Sequence, residues 1–555
     1  MRRATVWTLL ATLAVAPPST ARSADEAASS PVAASSKPAR EPAETRPPAP
    51  EPKPEERHTP IEQAHETGPG RVLKWDMAEA PPVVTHHELH VAGRSIRYAA
   101  TAGRLPIKDA AGTIDAEMFF VAYTLDGQAP GTRPLVFAFN GGPGSASLWL
   151  HLGALGPKKV ALGKDGFLPA PPYRMMDNEN SLLEKSDLVL VDAVGTGFSR
   201  PADSEKEKRF LGLRGDIEAF GEFVRLYLVR YGRWSSPLYL MGESYGTTRA
   251  AGLAGHLADL GISFNGIVLL SMVIDLQTTE FTRRNDLAAE LALPSFAMVA
   301  AYHHRLAPEL NDDLQRTRAE VEHFATNEYA LALGKGDALT PAEREAILAK
   351  LARYTALPRE VIDLANLRVN VSLFTRYLLA DKKLRVGRFD GRYAGPNPRG
   401  FFEDRDAYDP TEAAILPPFT SVFNDYVERE LGYRAEMPYN VFAGQWQSRE
   451  GQDLWPRWNW GSASEGFPDT ASALKAAMVK NPYLKVLVLE GYYDLATPYF
   501  AADYTMNHLD LAPEYRRNIS FATYESGHMV YLRESELAKM RRDLGDFIDK
   551  TRPRS

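Results

Sequence analysis

Six short apolar runs in this chain each end at a loop rich in Gly, Asp, Asn or Ser, and that repetition limits the fold more than any other feature. Leu135–Phe139 leads into Asn140-Gly141-Gly142-Pro143-Gly144, Leu188–Val191 into Asp192, and Leu238–Met241 into Gly242-Glu243-Ser244-Tyr245-Gly246. Ile267–Leu270 leads into Ser271, Val486–Leu489 into Glu490 through Asp494, and Ile519–Tyr524 into Glu525-Ser526-Gly527-His528. The runs are too short for helices and alternate with amphipathic stretches. That predicts an α/β fold whose central sheet is mostly parallel, with helices on both faces. Ligands of such sheets bind beyond the carboxyl ends of the strands, and all six loops lie at those ends. Ahead of them, Leu89–Ala99 and Met118–Leu125 alternate as antiparallel strands do.

The third loop carries the sharpest signal. In Gly-x-Ser-x-Gly the serine occupies a strained strand-to-helix turn with its hydroxyl raised above the sheet. Thr247–Leu260, rich in Ala, Gly and Leu, supplies the helix. A serine hydroxyl needs a base to take its proton, and the base needs an orienting acid. Of the histidines after Ser244, His256 lies about three turns along the elbow helix, too far to reach back. His303 and His304 fall in a helix-rich stretch, and His323 and His508 follow no strand. His528 follows a strand and precedes the final amphipathic stretch, Glu534–Ile548, so it is the expected base. Asp494, in the loop after the preceding strand, is the expected acid, and Asp503 is its rival. The amide of Tyr245 and one from the Asn140–Gly144 loop, most simply Gly142, are the expected oxyanion donors.

Composition excludes other chemistries. The net charge is −7 and there is no basic stripe, so a nucleic-acid partner is not expected. Cysteine is absent, which excludes disulfides, thiolate metal sites and a cysteine nucleophile. No metal or organic cofactor is expected. Met1-Arg2-Arg3 followed by an apolar stretch to Ala16 reads as a signal peptide over 1–23, too short to hold the chain in a membrane. Residues 24–70, rich in Ala, Pro, Glu and Ser, read as a disordered linker. The catalytic unit is expected over 71–555, with a helical and loop-rich cap inserted at about 275–443.

Taken together, Asn140-Gly141-Gly142-Pro143-Gly144, Leu155-Gly156-Pro157, Val194-Gly195-Thr196-Gly197, Gly242-Glu243-Ser244-Tyr245-Gly246, Gly491-Tyr492-Tyr493-Asp494 and Gly527-His528-Met529 resemble the serine carboxypeptidases, peptidase family S10. The resemblance implies an α/β-hydrolase fold and a catalytic set of Ser244, Asp494 and His528. It implies a peptide substrate with a free C-terminus, bound through Asn140, Gly141 and Glu243, with Met529 against the leaving side chain. Related proteins also transfer acyl groups, and the same triad would serve an esterase. A secreted or periplasmic protein of bacterial type fits the leader and the absence of cysteine, and the oligomeric state is left open. Where the family often has a second glutamate paired with the elbow glutamate, this chain has Ala154. That absence leads one to expect Glu243 to hold its proton less well.

Overall fold

The computed structural model describes residues 64–67, 72–91, 93–402, 408–443, 458–461 and 466–553. The leader lies outside these residues, as does nearly all of the linker. The exception is Ala64–Thr67, expected inside the linker, which instead pairs antiparallel with Val72–Trp75. Trp75 is buried, and its amide bonds Ala202 O at 2.9 Å.

A ten-stranded sheet forms the core. Nine of its strands run in line: β1 (Val83–Val91), β2 (Arg94–Lys108), β3 (Ile114–Leu125), β4 (Leu135–Phe139), β5 (Asp187–Val191), β6 (Leu238–Glu243), β7 (Gly266–Leu270), β8 (Lys485–Gly491) and β9 (Ile519–Tyr524). Their spatial order is β9-β8-β7-β6-β4-β5-β3-β2-β1. The first three are antiparallel and the rest parallel. This is the α/β-hydrolase arrangement. The stretch Leu89–Ala99, expected as one strand, is split between β1 and β2, with a turn at Gly93.

The parallel strands inside the sheet are buried on both faces, which explains their unbroken apolar sequences, whereas the edge strand β9 leaves Ser520 and Phe521 exposed. In β6, Leu238 and Leu240 face one layer while Tyr239 and Met241 face the other. β7 divides Ile267 and Leu269 from Val268 and Leu270 in the same way, and β8 divides Val486 and Val488 from Leu487 and Leu489. The helices Leu213–Arg230, Tyr245–Asp259 and Ala471–Lys480 cover the first face. Pro410–Arg429 and the closing helix Glu534–Thr551 cover the second.

Asp275, where the insertion is expected to begin, is joined to Asp469 by an antiparallel bridge. Leu276 N–H bonds Pro468 O at 3.0 Å, and Thr470 N–H bonds Ile274 O at 2.8 Å. The expected end near 443 is where the chain pairs with the loop after β4, through Ala146 N–H to Val441 O and Ala443 N–H to Gly144 O. The first part of the insertion is a helical bundle with its own apolar core, which includes Phe296, Phe324, Leu351 and Phe374. Tyr492, Tyr493, Leu495 and Tyr499, from the segment after β8, pack into that core. The cap is therefore seated directly on the loop that carries Asp494.

Candidate active site

Ser244 sits at the end of β6 with φ 60° and ψ −133°, a conformation that an L-residue adopts only under strain. The turn closes only because its glycines lack side chains. A Cβ on Gly242 would lie 2.0 Å from Gly246 O, and one on Gly246 would lie 2.8 Å from Phe139 O. Glu243 and Tyr245 are buried, whereas Ser244 is partly exposed. The helix Tyr245–Asp259 starts at once, so the Tyr245 amide is in the first turn, where amides lack a partner within the helix. A Cβ on Gly141 would lie 2.5 Å from the Tyr245 nitrogen, which brings the loop after β4 against that amide. Gly142 has φ 105°, which only glycine holds without strain.

A buried ion pair braces this corner. Arg249, on the elbow helix, bonds Asp216 at 2.7 Å and donates to Asn140 O at 2.7 Å. Asp216 also accepts from the Tyr245 hydroxyl at 3.0 Å. Tyr245 and Asn140 are thus tied to one charged pair, which sequence reading missed because its members are 33 residues apart.

His528 Nδ1 lies 2.7 Å from Asp494 Oδ2, and both side chains are buried. A carboxylate only accepts, so Nδ1 carries the proton and Nε2 is left with its lone pair. Asp494 Oδ2 also accepts from Thr497 Oγ1 at 2.7 Å, while its Oδ1 accepts from the amides of Ala496 and Thr497. Burial works against a charged imidazole. The charge and hydrogen bond of Asp494, with Glu243 nearby, outweigh burial and raise the His528 pKa above its ordinary value. Ser271 links the two sides of the site. Ser244 N–H bonds Leu270 O at 3.0 Å, and the hydroxyl of the next residue, Ser271, donates to His528 O at 2.6 Å.

The other histidines stand elsewhere. His256 points at Gly221 of the neighbouring helix, where a Cβ would lie 2.9 Å from the ring. His303 bonds Gly391 O. Asp503 faces the cap, and burial, with Glu322 adding and Arg318 opposing, raises its pKa to about 6.

Glu243 is buried beside this set. Burial is the largest influence and takes its pKa up to about 7. His528 opposes the rise, the Tyr531 hydrogen bond opposes it, Asp494 adds to it and Asn140 opposes it. Burial therefore favours the protonated form of Glu243. Asn140 Oδ1 accepts from Leu150 N–H at 2.9 Å, which fixes its amide plane. Met529 is buried next to His528 in sequence and joins the core layer beneath the closing helix.

A strap spanning residues 387–393 holds the loops of His528 and Asp494 together. Phe389 O accepts from His528 N–H at 2.6 Å, and its ring centroid is 5.3 Å from the imidazole. Asp390 accepts from Gly527 N–H at 3.1 Å, and its buried partner Arg392 donates to Ser526 Oγ at 3.2 Å. On the Asp494 side, Arg388 O accepts from Leu495 N–H, and Tyr493 O accepts from Gly391 N–H. Nothing local in the sequence marks this strap. Asp390 and Arg392 read as an ordinary charged loop until the chain returns to the site.

Among the described residues no group of acidic or histidine side chains could hold a metal ion, and no helix is long and apolar enough to cross a membrane.

Residues 99–323 match the family model described as serine carboxypeptidase. The chain is 29% identical over 136 residues to serine carboxypeptidase S10 family member 1 of Dictyostelium discoideum, covering 24% of this chain and 30% of that protein. It is 31% identical over 156 residues to the pheromone-processing carboxypeptidase KEX1 of Saccharomyces cerevisiae, covering 26% of this chain and 20% of that protein. The matched stretches thus span less than a third of either relative. Among solved structures, a putative aryl esterase from Burkholderia cenocepacia has a TM-score of 0.32 at 14% identity, covering 81% of this chain and 98% of that one. The peroxisomal alpha-beta-hydrolase Lpx1 from Saccharomyces cerevisiae has a TM-score of 0.36 at 9% identity, covering 83% and 92%. Over these stretches the chain is similar to serine carboxypeptidases.

Proposed function

We propose that the protein is a serine carboxypeptidase that releases the last residue of a peptide through an acyl-enzyme. The observation that carries this reading is a buried, protonatable Glu243 next to a serine elbow whose histidine is already paired with a buried aspartate. A simple esterase has no need of that glutamate.

Ser244 Oγ attacks the scissile carbonyl and passes its proton to His528 Nε2. The oxyanion takes hydrogen bonds from the amides of Tyr245 and Gly142. The imidazolium, stabilised by Asp494, returns the proton to the departing amine, and the C–N bond breaks. The freed amino acid leaves, and water, deprotonated by His528, repeats the sequence on the acyl ester. Glu243, Asn140 and Gly141 receive the terminal carboxylate, and Met529 meets the leaving side chain. The basic and apolar leader supports export of the protein to the periplasm or the exterior.

The pH dependence tests this directly. Two carboxylates side by side repel, so the substrate's terminal carboxylate binds best while Glu243 is protonated. Glu243 loses its proton as pH rises through about 7. The kcat/KM for an N-blocked dipeptide is therefore expected to fall above that point. An aryl ester has no carboxylate there, and its kcat/KM should rise with deprotonation of His528 and then stay level. Glu243→Gln should remove the alkaline fall for the peptide. Superimposable peptide and ester profiles would remove Glu243 from substrate binding.

A further inference from the structure

Three residues beyond His528 in the chain, Tyr531 reaches back into the site. Its hydroxyl donates to Glu243 Oε2 at 2.9 Å, and the residue is buried. The ring fits because Gly153 has no side chain. A Cβ there would lie 2.4 Å from ring Cε2 and 2.6 Å from Cδ2. A tyrosine in this place is more than packing. A phenol that donates to Oε2 bonds best to the carbonyl oxygen, so it favours the proton of a neutral carboxyl on Oε1.

We infer that Tyr531 is a positioning residue for Glu243, one that selects Oε1 as the protonated oxygen and aims that O–H at the terminal carboxylate of the substrate. The inference rests on the carboxypeptidase reading and deepens it. No bond is made or broken by Tyr531, and its own proton stays on the phenol. The groups that face Glu243 are His528 and Asp494 as charges, with Asn140 and Tyr531 as hydrogen-bond partners. Tyr531 is thus the one neutral donor from the closing segment, and its removal changes Glu243 without changing the charge of the site.

The sign of the effect follows from the chemistry. A donor stabilises a carboxylate more than a neutral carboxyl, so without the phenol Glu243 keeps its proton to higher pH. Tyr531→Phe, which keeps the ring over Gly153, is expected to move the alkaline fall of peptide kcat/KM upward by about one pH unit, the scale of one charge-assisted hydrogen bond. Peptide KM should rise on the acidic side, because the carboxyl is no longer aimed. The aryl-ester profile should not move, and its retained turnover shows that the variant is folded. With Glu243→Gln already present, Tyr531→Phe should add no further pH effect. The inference is overturned if the peptide limb stays in place in Tyr531→Phe while Glu243→Gln abolishes it, and equally if peptide and ester profiles shift together. If wild type has no peptide-specific limb, or Glu243→Gln leaves that limb intact, the carboxypeptidase reading itself fails and takes this one with it.

Discussion

Ser244→Ala is expected to abolish turnover of peptide and ester alike, by about 10⁶-fold, with the fold intact. The strained φ at 244 is met by the surrounding turn, and alanine has the same Cβ as serine, so the substitution adds no clash. It removes only the oxygen that would form the acyl bond. His528→Ala should lose nearly as much, because without the base the hydroxyl keeps its proton. Urea unfolding midpoints serve as the control for Ser244→Ala, and they should match wild type. Residual turnover within about tenfold of wild type would place the nucleophile elsewhere.

The second large effect belongs to Asp494, the proposed orienting acid. Asp494 Oδ1 accepts from two amides, so an asparagine at 494 would keep its oxygen there and turn its NH₂ toward His528 Nδ1 and Thr497 Oγ1. Nδ1 would then have to accept, the ring proton would move to Nε2, and the base would be lost. Asp494→Asn should cost about 10³–10⁴-fold in kcat. Asp503→Asn should cost little, because Asp503 faces Glu322 and Arg318 of the cap. The reverse pattern would reassign the orienting acid to Asp503.

Much of this arrangement can be read from sequence, for a definite physical reason. A strand buried on both faces must be apolar throughout, and the loop at its end is where polar chemistry is tolerated. Runs such as Leu238–Met241 and Ile267–Leu270 therefore give both the sheet and the side of it on which the site lies. The elbow glycines are legible because steric exclusion at Gly242 and Gly246 is local. What was not legible is non-local. The bridge between Asp275 and Asp469 joins positions far apart in the chain, and no local pattern reports it. The strap at Phe389–Arg392 is tied to Gly527 and His528 from more than 130 residues away. The hairpin inside Leu89–Ala99 was hidden because the chain alternates on both sides of a very short turn, with Leu89 and Val91 before it and Ile96 and Tyr98 after it. Glu243 shows the same limit in its chemistry. Sequence comparison could register the missing carboxyl at Ala154, but only the fold reveals how thoroughly Glu243 is buried, and burial is what raises its pKa.

The most direct measurement compares an N-blocked dipeptide with its C-terminal amide, using the full chain below neutral pH. The two share the scissile bond and side chains and differ only in the terminal carboxylate. Recognition of that group by Glu243 and Asn140 predicts release from the free acid about 10–100-fold faster than from the amide in kcat/KM, the scale of one charge-assisted hydrogen bond. Equal rates for the acid and the amide would contradict a carboxypeptidase and leave a serine hydrolase that does not read the chain end.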